Sequence, residues 1–408
     1  MGYTHIMSDS TETLTFKATT GEHHTIPTKN LIASIPTPDS TPSTSTILYL
    51  TPNPDDPTAL PTLTTIQGDL SPTATPPATS DTETHIIIST SSGTKKASTF
   101  YTGILSPVLS TLFPKGHENF LVHYTTSADT VKELTFDIFS STANAGIHLR
   151  IILLSGDGGV IDILNSLLAH PTSSQYKPPE LILLPLGTAN ALFHSTHVGG
   201  KDDTWGLRTL VSSTTKPLPI FTATFSPGAR LLVNEGRTEE ELPRDPTTGH
   251  NVLHGAVVGS WGMHATLVAD SDTAEYRKYG VERFSMAAKE LLYPSDGSAP
   301  HVYKAQISLL KNDKWTPVNT SASQPNSHMY ILLTLVSNLE KPFCISPATK
   351  PLDGSLHVVH FGPTTGDEAM RIMGLAYQGG KHVEEEMVTY EAVDGMRIEF
   401  RGMENIVV

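Results

Sequence analysis

The tightest constraint on this fold is a short, nearly all-apolar run, Leu149 to Leu154, that ends abruptly in Ser155-Gly156-Asp157-Gly158-Gly159. From Val160 to Leu168 the apolar residues then follow helical spacing. A buried strand that breaks into a glycine-rich turn and feeds a helix is the unit of a parallel sheet with crossover helices. The theme recurs. Leu181 to Leu184 ends in Pro185-Leu186-Gly187-Thr188-Ala189-Asn190 before a short helix, and Ile86 to Ile88 ends in a Ser/Gly/Lys turn, Ser89 to Lys96, before a helix-like stretch to Leu112. Phe120 to Tyr124 reads as a further strand, with a helix starting near Ser127. Alternation at this length predicts an α/β region with a parallel sheet covered on both faces.

The flanks read differently. Thr, Ser and Pro dominate Pro36 to Thr46 and Ser71 to Asp81, stretches that bury little apolar surface and read as linkers. Short β-like runs, Thr13 to Ala18, Ile47 to Thr51 and Leu63 to Gln67, predict a small β appendage leaning on a later sheet. Beyond about Lys216 the texture is β-rich: Ile220 to Phe225, Leu231 to Asn234, Val252 to Val258, Val302 to Leu309, Met329 to Val336 and Leu356 to Phe361, interrupted by one helical stretch from about Asp272 to Leu292. The division expected is a Thr/Ser/Pro-rich segment 1–84, an α/β nucleotide-binding domain 85–215, and a mostly antiparallel domain 216–408. No internal repeat of 20–50 residues is visible.

Composition narrows the function. Lys and Arg number 27 against 41 Asp and Glu, a net charge of −14, with no long basic run. That argues against nucleic acid as a partner and against charge-driven anchoring on an anionic membrane. Cys344 is the single cysteine, so no internal disulfide can form, which fits a reducing compartment. No apolar run approaches the ~20 residues of a spanning helix. Met1 to Ser10 lacks the pattern of a secretory signal, and Ile6 stands where a myristoylation motif beginning at Gly2 wants Ser or Thr. The expectation is a cytoplasmic protein that touches membranes transiently.

Gly156, Gly158 and Gly159 at a helix N-terminus let a phosphate approach backbone N–H groups, and the helix dipole favours its charge. Asp157 repels a phosphate, so its chemistry is to accept a proton or to act through Mg²⁺. Taken alone this is equally an ordinary βα turn, and it matches neither the dinucleotide fingerprint nor the P-loop spacing. The second turn, with Gly187, Thr188 and Asn190, falls at the same sheet edge, where ligands of open α/β sheets bind. The third offers the hydroxyls of Ser89, Ser91 and Ser92, the backbone of Gly93 and the ammonium of Lys95.

In order along the chain, these blocks resemble the diacylglycerol, sphingosine and ceramide kinase family. LLSGDGGVIDILNSL (153–167) resembles its GGDGT-type block and LLPLGTANAL (183–192) its PxGTGN block. IISTSSGTKKA (87–97) sits where the family has its nucleotide loop. SWGMHATLVADSDTAEYRKYGVERF (260–284) resembles a sphingosine-kinase segment, and FCISPATKPLDGSLH (343–357) the family's DDG block. The resemblance implies an N-terminal α/β nucleotide domain and a C-terminal antiparallel β-sandwich sheltering a lipid. It implies ATP and Mg²⁺ in the cleft between them, and transfer of the γ-phosphoryl group to a primary hydroxyl of a lipid. It makes Asp157 the catalytic base and puts Ser89, Ser91, Ser92, Gly93, Lys95, Thr125, Gly156, Gly158, Gly159, Asp162, Gly187, Thr188 and Asn190 at the nucleotide. Arg277 and Arg283 fall on two phosphate-contacting arginines, and Asp270 on the residue that holds a lipid amine. A sphingoid long-chain base is therefore the expected acceptor. Diacylglycerol or ceramide remain as alternatives, as do a catalytically degenerate binding protein of the same fold and, more remotely, a kinase of NAD.

The departures are specific. Ser89-Thr90 replaces Asn-Pro, Gly159 replaces Thr or Leu, Asp162 replaces a common Glu, and Ala189 replaces a glycine. If position 189 needs positive φ, alanine costs roughly 1 kcal/mol there. The segment after Trp261 is about two residues longer than in sphingosine kinases, so the placement of Asp270 depends on where that gap falls. The family's late Asp-Gly-Glu has its nearest counterpart in Asp394-Gly395-Met396, without the Glu. Metal ligands are not identified by the sequence.

Overall fold

The computed structural model describes residues 12–402 apart from 38–43, 57, 77–80, 201, 319–320 and 322. The N-terminal readings at Gly2 and Ile6, and the middle of both Thr/Ser/Pro stretches, lie outside the described residues. The first strands, β1 (Thr13–Lys17) and β2 (His23–Pro27), form a hairpin; β3 (Leu31–Pro36), β4 (Ser45–Thr51) and β5 (Thr62–Gly68) form an antiparallel sheet. Sequence reading missed β2 and β3.

A four-stranded parallel sheet follows, built from β6 (Thr82–Ile88), β7 (Leu121–Tyr124), β8 (His148–Ser155) and β9 (Glu180–Pro185) in the order β7-β6-β8-β9. The crossovers are helical: α1 (Ala97–Phe100) and α2 (Ser106–Leu112), α3 (Thr130–Leu134) and α4 (Ser140–Asn144), then α5 (Asp157–Leu168). A short α6 (Ala191–Thr196) succeeds β9. Each strand splits its side chains between two cores because its period is two. Ile86, Ile88, Ile152, Leu154 and Leu184 join Phe100, Leu105 and Val108 on one face, together with Ile32, Ala33, Leu48 and Leu50 of the N-terminal sheet. Ile87, Leu149, Ile151 and Leu153 join Val131, Phe139, Val160 and Ile163 on the other. Burying each such side chain contributes about 1.5–3 kcal/mol, so both faces stabilise the sheet. The N-terminal strands thus lean on the later parallel sheet, as expected, and share its core.

The remaining chain is dominated by antiparallel pairs. β10 (Phe221–Phe225), β11 (Arg230–Val233), β12 (Thr238–Glu241), β13 (Asn251–Gly255) and β14 (Val258–Gly262) lead into α7 (Met263–Ser271) and α8 (Glu282–Leu292). There follow β15 (Tyr303–Lys304), β16 (Gln306–Lys311), β17 (Lys314–Pro317), β18 (Ser327–His328), β19 (Tyr330–Thr334), β20 (Asn338–Glu340), β21 (Phe343–Cys344) and β22 (His357–Phe361), then α9 (Gly366–Ala376), β23 (Thr389–Ala392) and β24 (Gly395–Glu399). The sheets β14-β19-β22-β23 and β17-β16-β24 share one core through Trp261, Ile307, Leu309, Ile331 and Val359. The helix expected over 272–292 is α8 alone, starting at Glu282 after a 3₁₀ turn at Tyr276–Tyr279; α7, ending at Ser271, was not expected, and Val252–Val258 is two strands parted at Ala256-Val257.

The antiparallel layers are bolted to the parallel sheet at defined points. Val257 and Val336 enter the second core of that sheet. The Asn165 side chain on α5 donates to His254 O at 2.9 Å and accepts from His254 N–H at 2.9 Å. Ser195 on α6 makes a reciprocal pair with the Asn338 backbone at 2.9 and 3.1 Å. Among the described residues no helix is long and apolar enough to cross a membrane.

Burial holds several histidines neutral: His194 and His264 are lowered to about 4 and His360 to about 3. An unfolded chain protonates these rings below about 6.5, so stability is lost as pH falls below that value, by up to about 1.4 kcal/mol per pH unit and ring. Asp162, raised to about 6 by burial, works in the opposite sense, since the folded chain takes its proton first. With His123, His254, His328 and His382 lowered as well, the histidines outnumber the raised carboxyls Asp157, Asp162, Asp270 and Glu340. Urea midpoints are expected to fall between pH 7 and pH 5, and His360→Phe is expected to flatten that slope.

Candidate active site

The strand order makes the crevice. The chain steps from β6 to β7 in one direction and then returns to β8 and β9 on the other side, so the turns after β6 and β8 diverge at their carboxyl ends, where open α/β sheets bind ligands. Here the turns touch through backbone. A Cβ on Gly187 would lie 2.2 Å from Gly156 Cα, and a Cβ on Gly93 would lie 2.6 Å from Gly187 O. Gly93 also has φ of +52°. Gly159 is required for a different contact, since its Cβ would meet Ser155 Oγ at 2.9 Å where α5 leaves β8. A Cβ on Gly158 would meet nothing within 4 Å.

Asp157 is the first residue of α5, so the glycine turn is already helical from the aspartate onward. Its carboxylate reaches sideways to the next helix: Oδ2 accepts from Ala191 N–H at 2.8 Å and Oδ1 from Leu192 N–H at 2.9 Å. Asp157 therefore caps α6. Burial raises its pKa, against the two N–H groups and the helix N-terminus, which favour the charged form. Each carboxylate oxygen keeps a second lone pair. A crevice with room for about one water lies beside it, lined by Ser155, Gly156, Asn190 and Phe193 among others.

Asn190 closes the turn after β9. Its side chain accepts from Gly187 N–H at 2.9 Å and donates to Gly187 O at 3.1 Å, and its φ is +56°. The left-handed residue of this turn is Asn190 and not Ala189, so the strain considered for the alanine does not arise. Asn tolerates that conformation because its short side chain bonds locally. Thr188 sits partly exposed in the same turn.

The turn after β6 is tied to Thr125: Thr90 N–H donates to Thr125 Oγ1 at 3.0 Å, and Thr90 Oγ1 donates to Thr125 O at 2.8 Å. Thr125 thus shapes the loop. Ser89 is buried, its N–H donating to Leu154 O. Ser91 and Lys95 are exposed, Ser92 partly so, and Lys95 has φ of +59°. Lys96 turns back to Thr58 O at 2.6 Å. Asp162 lies one turn further along α5, beside Lys132 and Asp129.

The hairpin of α7 and α8 gathers the other candidates. Asp270 lies at the exposed end of α7, near Glu290, and burial together with that carboxylate raises its pKa. It is not at a helix start. Arg277 grips Asp272 through Nε at 3.1 Å and Nη2 at 2.9 Å, and Arg283 Nη1 lies 3.3 Å from the same carboxylate. Asp272, Glu290, Ser195 and Asn338 escaped the sequence reading. Asp272 and Glu290 had no spacing to mark them, and the other pair meets only in the fold. Asp394 is committed elsewhere, accepting from Asn312 N–H at 2.7 Å. Among the described residues no three His, Cys, Asp or Glu side chains cluster as a metal cage. Mg²⁺ that arrives with a nucleotide needs only one or two carboxylates, and Asp157 and Asp162 are the carboxylates of α5.

Residues 83–223 match the diacylglycerol kinase catalytic domain. The chain carries that domain. It is the catalytic domain of a lipid kinase. A solved structure described as a "putative diacylglycerol kinase" of Bacillus anthracis str. Sterne is 15% identical, with a TM-score of 0.51 over 78% of this chain and 84% of that one. The likeness shows a common fold. A second diacylglycerol kinase structure from the same organism is 14% identical over 78% of this chain and 85% of that one, with a TM-score of 0.47. No curated protein matches the chain by sequence.

Two glycines separate structure from ligand binding in this kinase domain. Gly187→Ala drives a Cβ into backbone and is expected to destabilise the chain by more than about 2 kcal/mol in urea unfolding. Gly158→Ala meets nothing and gains helix propensity, so stability should hold or rise by about 0.5–1 kcal/mol. If phosphate approaches this backbone, the same variant raises the KM for ATP.

Proposed function

We propose that this chain transfers the γ-phosphoryl group of ATP to a primary hydroxyl of a lipid, with Asp157 taking the hydroxyl proton. The observation that carries the reading is the seat of Asp157. It is a partly buried carboxylate fixed by two N–H groups at the mouth of three glycine turns. Phosphoryl transfer asks the protein mainly for position and charge, so a base that cannot wander is what the chemistry requires. Burial raises its pKa toward the range where a carboxylate accepts protons well, while the N–H groups of the capped helix favour the charged form. The nucleotide would lie over residues 85–215, with its phosphates near Gly158, Ser91, Ser92 and Lys95. Mg²⁺, bound with the nucleotide, supplies neutralisation of phosphate charge. Arg277 and Arg283 are the guanidiniums for the remaining phosphate oxygens. The antiparallel layers of 216–408 would form the β-sandwich that receives the lipid, drawn transiently from a membrane surface.

The acceptor we favour is a sphingoid long-chain base. Burial and the neighbouring Glu290 carboxylate hinder the ionisation of Asp270, and an ammonium head group beside it would relieve that cost. The second reading, diacylglycerol, is favoured by the names of the similar structures. Glu290 already holds the Tyr276 hydroxyl, whereas a neutral glycerolipid would leave Asp270 without a role.

Radiolabelled ATP with Mg²⁺ and a panel of sphingoid base, ceramide and diacylglycerol tests both readings. Label is expected in the sphingoid base, and Asp270→Ala should lower its kcat/KM about 10–100-fold while sparing a neutral lipid. Asp157→Asn should cut kcat by about 10²–10⁴. Its amide would also set an NH₂ against a helix N–H, lowering the melting temperature, so turnover must be referred to folded protein. Unchanged kcat in that variant would remove Asp157 from the proton transfer.

A further inference from the structure

The two arginines of the α7–α8 hairpin are already holding an anion, and it belongs to the chain. Asp272 spends both oxygens on the fork of Arg277, at 3.1 and 2.9 Å, and shares Oδ1 with Arg283 Nη1 at 3.3 Å. Glu235 also lies near Arg277 but is paired with Arg237, so three guanidiniums face two carboxylates. They also leave a donor unused, because Arg283 Nε is buried with no hydrogen-bond partner. Buried charged donors ordinarily find acceptors, so this one points to an oxygen that Asp272 cannot supply. Asp272 itself is held against its surroundings. It follows the last residue of α7, where the helix dipole disfavours a negative charge, and nearly half of its side chain faces solvent.

We propose that Asp272 is a resident stand-in for phosphate: it keeps Arg277 and Arg283 paired, and a phosphorylated ligand displaces it. A phosphate group offers three acceptor oxygens and a charge of roughly −1.5 to −2. It can serve both guanidiniums and the vacant Nε, and its charge repels the carboxylate it replaces. The inference rests on the proposed role of these arginines at phosphate and adds a competitor within the chain.

The experiment compares ATP affinity by calorimetry for the full chain and Asp272→Asn, each shown folded by its melting curve. Loss of an exposed ion pair should tighten ATP binding roughly two- to fivefold. Arg283→Gln should weaken binding about tenfold or more, and combining it with Asp272→Asn should abolish the gain. Unchanged or weaker ATP binding by Asp272→Asn would overturn the proposal and make Asp272 a purely structural counter-ion. If Asp272→Asn does not fold, Asp272→Ser takes its place under the same criterion. Should the parent chain bind no ATP, the nucleotide reading itself fails. The stand-in is then judged with inorganic pyrophosphate: a larger melting shift in the variant than in the parent supports it, and an equal or smaller shift overturns it.

Discussion

Gly187 and Gly156 meet backbone to backbone, and the site is built around that contact. With a Cβ of Gly187 only 2.2 Å from Gly156 Cα, any side chain there would push the end of β9 away from the end of β8. The distance between these two turns decides whether Asp157, one residue after Gly156, can reach the N–H groups of Ala191 and Leu192, four and five residues after Gly187. Glycine at these positions is thus needed by the fold before any phosphate enters the argument. The usual inference from a glycine-rich turn to a phosphate cradle has to be divided. Gly93, Gly156, Gly159 and Gly187 answer to packing, and Gly158 alone among them has open space in front of it.

The cap made by Asp157 joins two requirements that often conflict. A base needs a proton affinity near the working pH, which burial raises, and it needs to be ionised, which burial opposes. Placing the carboxylate on the first N–H groups of α6 lets a helix N-terminus serve the second need, opposing the cost of burial without a cationic side chain. It also links chemistry to architecture, because α6 is bonded through Ser195 to Asn338 in the antiparallel region. A shift of those layers would be carried to the carboxylate through six residues of helix.

The parallel sheet was legible because each of its strands is a burst of apolar residues with a glycine turn at its end. Two-faced burial follows directly from runs such as Ile86-Ile87-Ile88. The local role of Asn190 was not legible, since it depends on a left-handed φ that a sequence does not print. The end of α7 at Ser271 and the later start of α8 were hidden by a continuous polar stretch, Asp270 to Lys278, in which cap, loop and helix residues look alike. The N-terminal strands β2 and β3 were missed for another reason. Leu31, Ile32 and Ala33 alternate too little to mark one face, because both sides of that strand are buried. Thr125 was legible only by resemblance, and its bonds to Thr90 give the position a mechanical meaning that the motif lacks.

The hairpin and the glycine turns divide the electrostatic work in opposite ways. At the turns, charge is handled by backbone, with N–H groups and a helix end compensating one carboxylate. In the hairpin it is handled by side chains, with Asp272 between two arginines and Asp270 near Glu290. Backbone donors are fixed by the fold and lose nothing when a ligand arrives. Long side chains must be held somewhere in its absence: burial and, less strongly, Arg277 lower the proton affinity of Arg283, and Asp272 opposes both. In a chain of net charge −14, carboxylates are the abundant anions, so a surface that must attract phosphate has to keep its arginines from being neutralised permanently. A half-exposed aspartate at the wrong end of a helix dipole meets that condition: it holds the guanidiniums in place, and it holds them weakly.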